Sequence, residues 1–527
     1  MSLDYRNIGV LFSLNSLNVI LNVVISTMMV YLFGTSAEVE AFFAASVLGT
    51  AVSRFVNTGQ LVEIIVARYH RIKQEVSPQA AMSVVATLSN YMVGIALLLV
   101  ILFVASGTSI VNLLVPGFEN TTKYQVWQIF CITGFLMPFQ IATNIFQGML
   151  NAENVYGKVE FTGTVSQVIN IVILLVWGRE GNVTSLVIAL IISVLAQFAT
   201  TIYYLRQLGY KHTWLFRNPH FPLSELARTL SATSTYMVSV QIYIFIFNAG
   251  LSLLPAGTFA VYRYAELIYG KVANIFLMPI STVFFNEINR FIIQNNGQLV
   301  KSYVSKNLNF SYFIGFLILL PFWAGGQYLI WTLWGGVKFN ARDVQSVYEL
   351  LCIFFAAMIC TGPYMIFRKL AVAVTPPELQ NYYWSIIHVI SATIGYFIIR
   401  SLGFEGVLIQ VFLHNALMTA VPMLTIWFWK RDYFGFYEFK EIVKITFSFL
   451  IGIGFIWGIH PYWQVVSAYS KLMSLLIGVG LSIASLVIFM GCSLWLKVEE
   501  IRIIQEKISN RLKAKIEDNS TYQDINH

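Results

Sequence analysis

AFFAASVLGTAVSR, residues 41–54, opens an apolar run (41–66) long enough to cross a bilayer, yet it places a guanidinium, Arg54, at membrane depth. Ala45, Gly49 and Ser53 recur at four-residue spacing and mark a helix face that lets a neighbour approach closely. A charge in the hydrocarbon costs at least ~2.5–3.5 kcal/mol on insertion scales, so such a residue faces protein or a wet cavity rather than lipid. A buried cation therefore points to an anionic passenger or to a buried acid that neutralises it.

Outward from this stretch the chain repeats the pattern. Apolar runs of about 20 residues, the length needed for the ~30 Å hydrocarbon core, fall near 8–33, 41–66, 80–106, 124–149, 157–178, 184–206, 229–253, 257–285, 307–333, 345–370, 380–401, 404–429, 442–459 and 471–496. The 527 residues are 57% hydrophobic and only 11% charged, against roughly 25% charged in soluble domains. Backbone groups in runs this apolar can be satisfied only within helices. The expected fold is an all-α polytopic membrane protein with fourteen transmembrane helices. The first run is too long for the apolar part of a signal peptide and reads as a retained helix.

Lys and Arg alternate from loop to loop. With the N-terminus cytoplasmic, twenty-four lie in cytoplasmic segments and six opposite, leaving Arg54, Arg263 and Lys271 within spans. That asymmetry supports both the helix count and a multi-pass orientation with both termini cytoplasmic. The net charge of +8 is then a membrane-surface property that meets anionic lipid, and no nucleic-acid partner is expected. The loop 207–228, with Trp214, Phe216, Pro219, Phe221 and Pro222 among basic residues, reads as a cytoplasmic amphipathic linker. It divides the first twelve spans into two sets of six, the arrangement of transporters with internal repeats. The expected organisation is an N-lobe at 1–206, the linker at 207–228, a C-lobe at 229–430, two further helices within 431–496, and a cytoplasmic amphipathic helix and tail at 497–527. In that tail Ile501, Ile504, Ile508 and Leu512 follow helical spacing.

Catalytic and nucleotide-binding signatures are missing: there is no Walker A sequence, no H-E-x-x-H and no G-x-S-x-G. The four cysteines lie inside apolar runs without metal-ligand spacing, so no metal, cofactor or enzymatic activity is expected. A secondary transporter fits best, with coupling to Na+, H+ or the membrane potential. The candidate substrate-binding residues are Arg54 and Ser53 in the second span and Arg263, Glu266 and Lys271 on one broad face of the eighth. Arg54 could present a planar guanidinium to phosphate or bridge to Glu63, Glu160 or Glu266. Glu266 can pair locally with Arg263 at i+3, which leaves one positive charge for a ligand or a trio that neutralises itself. In the first span Asn18 and Asn22 continue a stripe from Asn15 that could bond sugar hydroxyls or serve helix packing. Glu40, just before the second span, reads as an outer-mouth or gating residue. Pro138, Pro279, Pro321, Pro363 and Pro422 fall inside spans and imply kinks.

Three local motifs carry a resemblance. Phe33-Gly34 followed by Glu40-Ala41-Phe42-Phe43, Arg54 and Gly59 resembles the opening of the lipid II flippase (MurJ/MviN) family, in which F-G-x(5)-D-A-F-F precedes a basic pair and a glycine. Val115-Pro116-Gly117-Phe118 resembles that family's A-P-G-F, and Gln147-Gly148-Met149-Leu150-Asn151-Ala152 resembles its short cytoplasmic turn after the fourth helix. Ser53 stands where the first basic residue of the pair is usual. The resemblance implies the multidrug/oligosaccharidyl-lipid/polysaccharide exporter fold: two six-helix lobes related by a pseudo-two-fold axis plus two C-terminal helices with a lipid-tail groove. It further implies a flippase in the bacterial cytoplasmic (inner) membrane. Its passenger would be an undecaprenyl-diphosphate-linked glycan, moved to the outer leaflet by alternating access through a cationic cavity. Arg54 would carry the second helix's cation, and Arg263 or Glu266 the eighth helix's cavity position. The family's first helix bears arginines and this one bears none, so the passenger could be lipid II or an exopolysaccharide or O-antigen (Wzx-like) repeat unit. Besides the polyprenyl-diphosphate-linked glycan, expected partners are membrane lipids and proteins of glycan synthesis or polymerisation. A cation-coupled multidrug exporter of the same fold and a transport-inactive scaffold for glycan synthesis are the alternatives.

Overall fold

Wherever an apolar run was expected to span, the computed structural model holds a helix. It describes residues 5–56, 69–153, 155–178, 181–220, 223–294, 296–375, 377–459 and 466–502, and no strand occurs among them. In chain order the helices are α1 (Tyr5–Phe33), α2 (Ala37–Val56), α3 (69–75), α4 (Pro78–Ala105), α5 (Thr108–Leu114), α6 (Asn120–Thr133), α7 (Met137–Ala152), α8 (Tyr156–Trp177), α9 (Thr184–Gln207), α10 (Leu223–Ser252), α11 (Thr258–Ile293), α12 (Gly297–Trp334), α13 (Ala341–Val374), α14 (Pro377–Leu402), α15 (Phe404–Trp429), α16 (Phe439–Ile459) and α17 (Lys471–Trp495). Twelve spans among the described residues are long and apolar enough to cross a membrane, one of them formed by α6 and α7 together. The other two expected spans coincide with α11, which carries Arg263, Glu266 and Lys271, and with α16. Glu63, Gly59 and the tail beyond Arg502 lie outside the described residues, as does the side chain of Asn15.

Helix ends follow local chemistry. Ser77 caps α4 by accepting from the Ala80 N–H, and Pro78 fills the first turn, where its missing N–H is harmless. Ser470 caps α17 and Asn296 caps α12 in the same way. Gly34 ends α1 at φ +62°, a left-handed conformation that glycine adopts freely. Several helices extend past the apolar runs. α12 starts ten residues before the expected 307, because the polar turns around Lys301 and Lys306 continue the helix past the apolar run. The Gln147–Ala152 motif is the last part of α7, and the chain turns only at Glu153.

The chain forms two compact units. The first comprises Met1–Ile268, Gly336–Asp343 and Pro377–Gln410. In it α1 packs on α8, α8 on α9, α2 on α6, α4 on α7 and α10 on α14. The segment after α9 folds back along α4, held by Asn90 Nδ2 donating to the carbonyls of Thr213 and Leu215 at 2.9 and 3.1 Å, and by Asn218 Nδ2 donating to Ser83 Oγ at 2.9 Å. The helical start of α10 at Leu223 takes over the end of the expected linker.

The second unit comprises Tyr269–Gly335, Val344–Pro376 and Val411–His527. α17 packs against α12 and α16. A Cβ on Gly325 would sit 2.1 Å from the Gly478 carbonyl, so these two backbones meet through glycine, the small-residue contact usual in membranes. Ser482 Oγ donates to the carbonyl of Pro321 at 2.9 Å close by. Phe284, Val304, Leu308, Ile366, Phe367 and Leu370 form a fully buried core. The first residues after α17 join this unit: Val498 and Ile501 are buried, and the Glu499 N–H donates to Glu441.

Candidate functional site

The site lies in the first unit and begins with α2. This helix owes its placement to its small face and to its first turn. Glu38 is exposed, whereas Glu40 is 4% exposed and turned inward. Its Oε1 accepts from the N–H groups of Gly257 (2.9 Å), Phe259 (3.0 Å) and Ala260 (3.4 Å), the unpaired donors at the start of α11. A carboxylate at a helix N-terminus also meets the positive end of the helix dipole. Glu40 is therefore buried and caps a helix that starts more than two hundred residues later in the sequence.

Gly34, Phe43 and Val115–Phe118 converge on the same place. The Gly34 carbonyl accepts from Tyr264 Oη at 2.9 Å, and the Phe43 ring meets Tyr264 edge-on at 5.2 Å. Phe118 meets Phe259 at 5.4 Å. Gly117 donates its N–H to Ser252 Oγ at 3.0 Å, and a Cβ there would lie 2.2 Å from the Ser252 carbonyl. Residues 33–43 and 115–118 thus form one clasp around the junction of α10 and α11.

That clasp fixes Arg263, one turn further along α11. The Arg263 side chain is 13% exposed, and Nη1 pairs with Glu266 Oε2 at 2.5 Å. Nη2 donates to Asn248 Oδ1 of α10, and the guanidinium lies 5.1 Å from the Phe259 ring and 5.6 Å from that of Tyr262. Asn248 was not singled out in the sequence, where a lone asparagine in an apolar run has no distinguishing spacing. Tyr243, also on α10, lies near Gln410 and within electrostatic range of Glu266.

Arg54, half-buried at the far end of α2, lies within electrostatic range of Glu266, Arg263 and Tyr236. Among the described residues no carboxylate comes within ion-pairing distance of it, whereas Arg263 is held by Glu266 and Asn248. The cluster Arg54, Arg263, Glu266 carries one positive charge in excess, and among the described residues the guanidinium without a carboxylate is Arg54.

The remaining candidates take other positions. Ser53 Oγ contacts the Met137 sulfur of α7 at 3.8 Å, a packing role on the small face of α2. Asn18 bonds across to α8: its Nδ2 donates to Glu160 Oε2 at 3.2 Å and its Oδ1 accepts from Thr164 Oγ1 at 2.7 Å. Asn22 Nδ2 turns back to the Asn18 carbonyl at 2.7 Å. Within the asparagine stripe it is Asn18 that joins α1 to α8. Lys271 belongs to the second unit, half-buried and without an ion pair among the described residues. No group of His, Cys, Asp and Glu among the described residues could hold a metal ion.

A second polar cluster, unmarked in the sequence, lies outside the spans. Glu153 Oε1 accepts from Tyr69 Oη at 2.5 Å and from Lys73 Nζ at 2.6 Å. Partial burial pushes the Glu153 carboxyl up, but the bonds from Lys73 and Tyr69 outweigh it, and the carboxyl sits below its usual range.

The clasp motifs, the inward Arg54 and the helix order can now be set beside known proteins. The family model for the lipid II flippase MurJ matches residues 29–464. The chain belongs to the MurJ lipid II flippase family. A solved lipid II flippase MurJ in an inward closed conformation superposes with a TM-score of 0.68 at 17% identity, over 91% of this chain and 98% of that one. An inward-facing multidrug resistance transporter of the MATE family, in the MOP superfamily, gives 0.60 at 12% identity, over 79% and 96%. A MOP superfamily transporter from Pyrococcus furiosus gives 0.54 at 13%, over 80% and 93%. At such identities the likeness is one of fold. No curated sequence matches. The MurJ-like assignment agrees with the motif resemblance and makes the chain a multi-pass membrane protein of a flippase family.

Proposed function

We propose that this protein moves an undecaprenyl-diphosphate-linked glycan, lipid II or an exopolysaccharide or O-antigen repeat unit, from the cytoplasmic to the outer leaflet of a bacterial inner membrane. It would do so by alternating access of two six-helix lobes, with both termini cytoplasmic, and with the groove beside the last two helices for the lipid tail. Arg54 would take the diphosphate, and Arg263 would enter only if Glu266 yields it. The observation that carries this reading is Arg54: a guanidinium at membrane depth without a carboxylate among the described residues, beside an arginine already neutralised. A planar guanidinium matches a phosphate's paired oxygens. Coupling to Na+, H+ or the membrane potential supplies the direction.

The test is flipping of a labelled undecaprenyl-diphosphate glycan in proteoliposomes. Arg54→Ala should abolish it, Arg54→Lys should restore part, and Arg263→Ala should reduce it less than Arg54→Ala does. Unchanged flipping in Arg54→Ala would overturn the proposal. One observation favours a second reading, a cation-coupled exporter of cationic drugs: Asn18 brings the half-buried Glu160 carboxylate against α1. Drug binding lost in Glu160→Gln and kept in Arg54→Ala would favour that reading.

A further inference from the structure

A cavity in the first unit that Arg54 does not line lies among α4, α7, α9 and the segment that follows α9. It encloses about 910 Å³, within the ~300–1,000 Å³ range of small-molecule sites. Its walls are apolar, with Val93, Phe139, Phe146 and Phe198 facing it, and no acidic residue lines it. At one end stand Arg206 and Lys211, both exposed and neither paired with a carboxylate among the described residues. His212 joins them, but burial pulls its imidazole below the ordinary value, so at neutral pH the positive charge rests on the other two.

The segment that closes this end is strapped to α4 by Asn90, and it presents Trp214 outward at 77% exposure, with Phe216 also exposed. A tryptophan beside basic side chains, next to an apolar shaft, is the arrangement found where a chain meets the headgroup layer of a membrane. The basic-residue count places this end on the cytoplasmic side.

We propose that this cavity is a lipid site: an anionic phospholipid of the cytoplasmic leaflet places an acyl chain between α4, α7 and α9 and its phosphate between Arg206 and Lys211. Charge complementarity selects the occupant, because a basic pocket between membrane helices suits anionic headgroups and the apolar shaft offers nothing to a soluble anion. The site does not depend on Arg54. Its occupancy would brace the segment between α9 and α10 against α4.

The test uses the full-length protein, purified and exchanged into lipid nanodiscs. Cardiolipin or phosphatidylglycerol should raise the melting temperature, and phosphatidylcholine and inorganic phosphate should not. Arg206→Gln with Lys211→Gln should weaken anionic-lipid binding roughly 30-fold, the factor that ~1 kcal/mol per basic side chain gives for two. Ala142→Leu, which narrows the shaft and keeps both charges, should also reduce binding. Full binding in the double variant, an equal response to phosphatidylcholine, or a response to inorganic phosphate alone would each overturn the proposal. If the double variant fails to fold, Ala142→Leu decides: unchanged anionic-lipid binding there would contradict acyl-chain insertion.

Discussion

Glu40 and Arg54 stand at opposite ends of α2, and the protein treats the two charges in opposite ways. Glu40 is buried with three N–H donors of α11 on one oxygen. Arg54 is half-buried, with no carboxylate on it among the described residues. Glu40 is answered by its own chain and holds the fold, whereas Arg54, without a carboxylate among the described residues, is the charge proposed above for a ligand. Arg263, answered by Glu266 and Asn248, stands between the two.

The comparison breaks most visibly at Glu40. Glu40→Ala leaves three N–H groups without their acceptor, and each lost charge-assisted bond is worth about 1.5–3 kcal/mol. The expected outcome is a large fall in melting temperature and yield, with Glu40→Gln recovering part of it because an amide oxygen still accepts. Near-normal stability of Glu40→Ala would show that water or another group caps α11. A second way into the clasp is Gly117→Ala, whose Cβ would lie 2.2 Å from the Ser252 carbonyl. Overpacking of this kind costs about 1–3 kcal/mol, read as a smaller fall in melting temperature. Tyr264→Phe removes the hydroxyl that bonds the Gly34 carbonyl and should cost about 1 kcal/mol in the same assay.

The helices and the inward arginine were legible in the sequence, because a span announces itself through some twenty apolar residues and a charge within it is conspicuous. The clasp was not. The partners of Glu40 lie up to 220 positions away, and hydropathy carries no information on which helix start meets which carboxylate. The asparagine stripe shows the same limit: Asn15, Asn18 and Asn22 announced a polar face, but only the placement of α8 showed that Glu160 and Thr164 answer Asn18. The family motifs were found as strings, and the structure shows that residues 33–43 and 115–118 meet in one contact surface.

Two smaller effects sharpen the comparison further. Glu266→Gln should free Arg263 and so add a second available cation, raising affinity for a polyprenyl diphosphate with little change in melting temperature; a fall in affinity would make Glu266 part of the binding surface. At Glu153 the folded carboxyl sits below its unfolded value, so its stabilising bonds are in place above the ordinary carboxylate range and are lost as pH falls through the folded value. Hydrogen exchange in residues 69–75 should therefore quicken on acidification, and Glu153→Gln should show that faster exchange already at neutral pH. Exchange unaffected by either change would remove Glu153 as the anchor of α3.

Arg54 is proposed as a charge kept for a ligand rather than for the fold. The direct measurement is the affinity of Arg54→Ala for undecaprenyl diphosphate, taken together with its melting temperature in the same lipid. The account predicts a loss of binding with the melting temperature unchanged or raised, since no ion pair among the described residues is broken. A variant that binds as well as the parent, or one that melts as early as Glu40→Ala, would contradict it.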